Sequence, residues 1–209
     1  MSYVENIFIC FATPILVAAV CMRGRGRRMM LFMLAGMAVC LLASYITTFL
    51  AAVEGANTLA TSLKIAPMTE EFMKFCPILF YLLVFEPGRG EIGDCVLMTA
   101  VGFATFENAC YLAANGASQF IYLMIRGFGT GTMHVVCGVI IASGLFLLWE
   151  RPWMRTAGAL GLLTVAVTYH GIFNLLVAQD NAVAYFGYGF PILTVLIGML
   201  LEQNFPRKV

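Results

Sequence analysis

The sequence predicts an all-α polytopic membrane protein, a bundle of about seven transmembrane helices, and three observations carry that prediction. Its 209 residues are 61% hydrophobic and only 11% charged, with a mean hydropathy of +0.90, which excludes a soluble globular domain. The apolar residues gather into runs long enough to cross ~30 Å of hydrocarbon. Lys and Arg fall mainly between alternate pairs of those runs, as they do in the cytoplasmic loops of membrane proteins.

Taken in order, the runs cover 4–22, 29–52, 67–86, 95–114, 118–149, 156–178 and 183–202. The first has Glu5 at its head and its arginines behind it, which predicts a retained span and not a cleaved signal peptide. The fifth is long enough for one helix or two short ones, and Gly127, Gly129 and Gly131 interrupt it. Charge arbitrates. A single crossing puts Arg23, Arg25, Arg27, Arg28, Arg89, Arg151, Arg155, Arg207 and Lys208 inside and only Lys64 outside. Two crossings would move Arg151, Arg155, Arg207 and Lys208 outside. Seven spans are therefore favoured over eight, with the N-terminus outside, the C-terminus cytoplasmic and a bent or re-entrant start to the fifth span. Residues 1–209 read as one integral membrane domain without a soluble module, internal repeat or low-complexity linker. The seven cysteines are scattered with no C-x-x-C pair, and read as packing residues. A net charge of +1 gives no electrostatic case for nucleic acid as a partner; the lipid bilayer is the one implied by composition.

Polar residues at membrane depth are the candidate functional groups, because a charge facing hydrocarbon costs roughly 2.5–3.5 kcal/mol on insertion scales. Glu70, Glu71 and Lys74 open the third run, with Lys74 one turn from Glu70 and at i, i+3 from Glu71. Glu107 lies in the fourth run, Arg126 and His134 in the fifth, and His170 with Asn174 one turn later in the sixth. The alternating directions of the runs put all of them between mid-membrane and the outer face, at one level, which a shared water-accessible cavity explains. Gly127, Gly129, Gly131, Gly138, Gly161 and Gly171 read as close helix packing.

Carboxylates, two imidazoles and an amide, with neither Ser143 nor Thr132 in a nucleophile motif, suit activation of water. A carboxylate takes a proton from water, a donor stabilises the oxyanion, and the acid protonates the leaving amine. Zinc held by Glu71, His134 and His170 is a weaker alternative, because no H-E-x-x-H spacing is present. A proton-coupled transporter or channel would also cluster such groups, although no second copy of the Glu-Glu pair marks an internal repeat. An inactive scaffold of the same fold would be missing one of the polar residues.

The ordered set Glu70-Glu71-x-x-Lys74, Phe103-x-x-x-Glu107, an isolated His134 in a Gly-rich helix, and His170-x-x-x-Asn174 resembles the motifs of the PrsW-type glutamic intramembrane proteases, related to the type II CAAX prenyl endopeptidases and the abortive-infection-like membrane proteins. The match covers about 67–178. Glu107 stands where the prenyl-protease branch has His, and Lys74 where that branch has Arg; Asn174 resembles the prenyl-protease form. The resemblance implies a metal-independent site-1 protease of a bacterial plasma membrane that cuts a single-span membrane protein, typically an anti-sigma factor, in a stress response. It implies Glu70 and Glu71 as water-activating carboxylates, His134 as partner to the attacking water, and His170 with Asn174 as oxyanion donors. Glu107 replaces a catalytic histidine of the other branch, and Lys74, Arg126 and Phe103 support the site.

Overall fold

The computed structural model describes residues 4–116, 120–149, 151–179 and 182–204. Helix α1 covers Val4–Cys21 and α2 covers Gly24–Glu54. A short α3, Thr58–Ala60, passes through a π-helical turn, Thr61–Ile65, into α4, Ala66–Phe85. Then come α5 (Arg89–Asn115), α6 (Phe120–Trp149), a 3₁₀ turn (Pro152–Met154), α7 (Arg155–Val177) and α8 (Ala182–Asn204). Six of these helices are long and apolar enough to cross a membrane. The seventh long helix, α4, has 20 residues and carries Glu70, Glu71 and Lys74. The seven runs read from the sequence are thus seven long helices.

The fifth run differs from expectation in one respect. It is a single helix of 30 residues through Gly127, Gly129 and Gly131, with no bend into a re-entrant segment. At 1.5 Å per residue it extends about 45 Å, more than a perpendicular crossing requires. Only some of the flagged glycines make close contacts. A Cβ at Gly129 would lie 2.9 Å from the Tyr188 carbonyl oxygen and one at Gly138 3.2 Å from the Ala100 Cβ, whereas Gly127, Gly131 and Gly161 face open space.

The glycines that set the architecture lie elsewhere. A Cβ on Gly36 of α2 would come within 2.1 Å of the Thr99 carbonyl oxygen of α5, and one on Gly102 of α5 within 2.1 Å of the Met33 carbonyl oxygen of α2. The two backbones therefore touch, as small residues permit inside a membrane. Ion pairs at the helix starts, Arg25–Asp94 at 2.7 Å and Arg28–Glu91 at 2.8 Å, hold α2 and α5 parallel and in register. Arg207 and Lys208, which entered the topology argument, lie outside the described residues. Gly36→Ala or Gly102→Ala should push the pair apart. Overpacking costs about 1–3 kcal/mol, which for a chain of this size lowers the thermal unfolding midpoint in detergent by roughly 2–12 °C.

Two apolar clusters flank the polar residues. One joins Phe75, Ile78 and Leu82 of α4 to Cys95 and Val96 of α5, Met133, Cys137 and Ile141 of α6, and Ala166 and Phe173 of α7. The other joins Met37, Cys40 and Ala43 of α2 to Phe103 and Phe106 of α5, with Phe8 of α1 edge-on to Phe106 at 5.6 Å. Phe103 belongs to the second cluster, yet its ring centroid lies 4.9 Å from that of His134. Packing and site therefore share a wall.

Candidate active site

Glu70 and Glu71 are neighbours on α4 and so point about 100° apart, which gives them separate environments. Glu71 is completely buried. Its Oε1 accepts from Lys74 Nζ at 2.7 Å and from His170 Nδ1 at 2.8 Å. Among the described residues its Oε2 has no hydrogen-bond partner, and the residue borders a small space about the size of one water molecule, shared with Lys74 and Thr99. Glu70 instead faces a cavity of about 520 Å³, with Oε2 3.8 Å from His170 Nε2.

The same cavity is lined by Glu107 of α5, by Arg126 and Thr130 of α6, by His170 and Asn174 of α7, and by Tyr188 of α8. Its remaining wall comes from the C-terminal part of α2, with Thr47 and Thr48, and from Thr58, Thr61 and Ser62. The polar residues singled out on four separate runs thus converge on one network. Among its members, only the two histidines, Lys74 and Glu71 are almost wholly removed from solvent.

Several details were not legible beforehand. His134 is fully buried and does not border the cavity; its Nε2 lies 2.6 Å from Glu107 Oε2 and its Nδ1 2.9 Å from Lys74 Nζ. Arg126 pairs with Glu107 at 3.2 Å and donates to Asn108 Oδ1 at 2.6 Å, while its guanidinium stacks on Tyr111 at 3.6 Å. Asn108 was missed, although it directly follows Glu107. Asn174 donates to the Ser62 carbonyl oxygen at 2.8 Å. That bond anchors α7 to the π-helical turn, a rare local geometry frequent at functional sites, and it fixes the segment that leads into Glu70.

With Lys74 an ammonium and both rings neutral, hydrogen-bond inventories assign both tautomers. An ammonium has three donors and no acceptor, so His134 Nδ1 accepts from Lys74. Neutral His134 then carries its proton on Nε2 and donates it to Glu107. Glu71 accepts at Oε1, so His170 donates from Nδ1 and presents a bare Nε2 to the cavity. One imidazole is a donor at its inner nitrogen, and the other an acceptor.

Glu70, His134 and His170 each offer a ligand atom, all within 4.8 Å of one another. The alternative metal set read from the sequence contained Glu71 in place of Glu70; the structure corrects this, because Glu71 Oε1 is engaged by Lys74 and His170 while Glu70 faces the shared space. In donor type and number the trio suits a catalytic zinc site. His170 also has the expected outer partner, a carboxylate on its other nitrogen. His134 does not fit. A zinc-bound imidazole donates its second N–H to an acceptor, whereas the second nitrogen here faces an ammonium and the inner one carries the proton.

No curated protein and no solved structure matches the chain. The family described as PrsW family intramembrane metalloprotease matches residues 25–200, which include every residue of this network. With a multi-helix membrane fold and polar groups from α4, α5, α6 and α7 gathered at one cavity, the chain belongs to the PrsW family of intramembrane proteases.

Proposed function

We propose that the chain is an endopeptidase that hydrolyses a peptide bond of a single-span membrane protein with water activated by Glu70 and His170, without a metal in the step. The observation that supports this is the 3.8 Å gap between Glu70 Oε2 and the bare Nε2 of His170 on the cavity wall. Two acceptors cannot hydrogen-bond each other, and a donor between them bridges that separation. A single water about 2.8 Å from each donates to both, which points its oxygen lone pair at a substrate carbonyl.

The step balances within the chain's own groups. As the water oxygen bonds to the carbonyl carbon, Glu70 takes one of its protons and the carbonyl electron pair moves onto oxygen. Arg126 and the second amide hydrogen of Asn174 are the N–H donors on the cavity wall suited to that oxyanion. Glu70 then returns the proton to the leaving nitrogen as the C–N bond breaks. His134 holds Glu107, and Glu107 holds Arg126, so the buried histidine acts through the pair and not on the water.

The cavity lies at the end of the bundle formed by the close of α2, the turn before α4 and the start of α6. The distribution of Lys and Arg supports placing this end outside, with the N-terminus outside, the C-terminus cytoplasmic and the protein in a bacterial plasma membrane. Glu70 is about 6 Å along α4 from Ala66. A helical substrate must unwind there before a carbonyl is open to attack. The scissile bond is therefore expected in the outer third of the substrate's span, beside residues of poor helix propensity. An anti-sigma factor is the substrate class that the family resemblance suggests.

The test is reconstitution in vesicles with tagged single-span substrates, with fragments mapped by mass spectrometry and a membrane-permeant chelator present or absent. Cleavage in the outer third, unaffected by the chelator, is the expected result. Activity lost on chelation and restored by zinc would replace this mechanism with a metal-dependent one. A cut at the cytoplasmic end would refute the placement of the site, and ion flux without cleavage would favour a transporter.

A further inference from the structure

We propose that Lys74 is a positioning residue that fixes the two histidines in opposite tautomers and thereby prevents Glu70, His134 and His170 from closing on a zinc ion. It deepens the metal-free reading above, but it rests on hydrogen-bond geometry and is tested without substrate, so the two readings can fail separately.

Among the described residues, Lys74 is the one that hydrogen-bonds to both halves of the network. Its Nζ is 2.7 Å from Glu71 Oε1 and 2.9 Å from His134 Nδ1, with the side chain 6% exposed. On the His134 side, the ammonium forces a lone pair onto Nδ1 and the proton onto Nε2, where Glu107 Oε2 receives it at 2.6 Å. On the Glu71 side, the ion pair keeps an ionised carboxylate oxygen in place to accept from His170 Nδ1 at 2.8 Å, which leaves Nε2 of His170 bare. Two rings 5.2 Å apart and nearly perpendicular, at 89°, thus present unlike inner nitrogens. A tetrahedral ion would need a lone pair from each.

Lys74 is also held where it is. The face of Phe103 lies 5.0 Å from Nζ and packs against His134 as well, a cation–π contact that leaves the ammonium between a ring, a carboxylate and an imidazole. The α4 helix brings Lys74 beside Glu71 through the i, i+3 spacing, so the tautomers are set by two positions of one helix. An ammonium here selects water activation by glutamate. An acceptor at the same place would let His134 donate from Nδ1 and turn a bare Nε2 inward, the arrangement that zinc-bound histidines have.

Lys74→Gln supplies such an acceptor, the amide oxygen, and removes the charge. Lys74→Arg keeps a donor-only cation. The chain has two histidines, so ¹⁵N-histidine labelling with a histidine-free affinity tag yields four ring-nitrogen resonances that report both tautomers directly. The full chain in detergent, as wild type and as the two variants, is compared by these spectra and by zinc content after equilibration at buffered free zinc. Wild type and Lys74→Arg should show one histidine protonated at Nδ1 and the other at Nε2. Lys74→Gln should move the His134 proton to Nδ1 and bind one zinc per chain about 10–100-fold more tightly, the scale of outer-partner effects. Stoichiometric zinc in the wild type, two histidines with the same tautomer, or a Gln variant with no gain in zinc would each overturn the proposal. Should Lys74→Gln fail to fold, the wild-type spectrum and zinc content decide alone.

Discussion

Glu70→Gln is expected to reduce turnover by about 10²–10⁴-fold, the scale of a lost general base, while folded protein remains in the membrane at the wild-type level. Gln keeps the volume of the side chain, and Glu70 borders the cavity, so no buried partner is orphaned. Its amide would face His170 Nε2 across the space where two acceptors now stand 3.8 Å apart. A donor in place of one acceptor closes that gap with a direct hydrogen bond and leaves the water no base. The neighbouring replacement should behave differently. Glu71→Gln removes the charge that balances Lys74, and both side chains are buried. Breaking a buried pair by removing one partner costs about 3–5 kcal/mol, so this variant should lose thermal stability as well as activity. Immunoblots of a tagged substrate, read beside unfolding midpoints in detergent, separate the two cases. Normal product from Glu70→Gln would end its assignment as the base.

How far the sequence carried the fold and the site follows from what each inference needed. Seven hydrophobic runs became seven long helices because length and apolarity are local properties. Glu70, Glu71, Lys74, Glu107, Arg126, His134, His170 and Asn174 stood out because ionisable and amide groups at membrane depth are expensive, and the structure does bring them together. Their division of labour was not legible. Glu70 and Glu71 differ by one residue, and which faces the cavity depends on the rotation of α4 about its axis, fixed by packing against α2, α5 and α7. The Gly-rich start of α6 suggested an interruption, but a helix tolerates glycines when its neighbours hold it, as Tyr188 does against Gly129. Asn108, Thr47 and Ser62 carry no charge and stood out from nothing around them. The bond from Asn174 to the Ser62 carbonyl oxygen spans 112 residues of sequence, and a π-helical turn leaves no pattern that identifies it in advance.

His170→Asn separates the two duties of the histidine. The ring now donates from Nδ1 to Glu71 Oε1 at 2.8 Å and presents Nε2 toward Glu70 Oε2. An asparagine amide nitrogen occupies nearly the position of Nδ1, so the buried bond to Glu71 is retained, and no atom replaces Nε2. Glu71 keeps its donor and Lys74 keeps its counter-ion, so the unfolding midpoint should stay close to wild type. The attacking water, however, loses its second acceptor and with it the orientation of its lone pair. Positioning of this kind is worth several kcal/mol, and turnover should fall by about 10²–10⁴-fold. His170→Ala lacks both atoms; it should be as inactive and, in addition, less stable, because the buried Glu71 Oε1 keeps only its bond from Lys74 and loses a hydrogen bond to a charged group worth about 1.5–3 kcal/mol. Single-turnover cleavage in vesicles and thermal unfolding in detergent read the two quantities independently. A His170→Asn protein that cleaves at the wild-type rate would show that Nε2 holds no water in the reaction, and the acceptor role would then pass from α7 to another wall of the cavity.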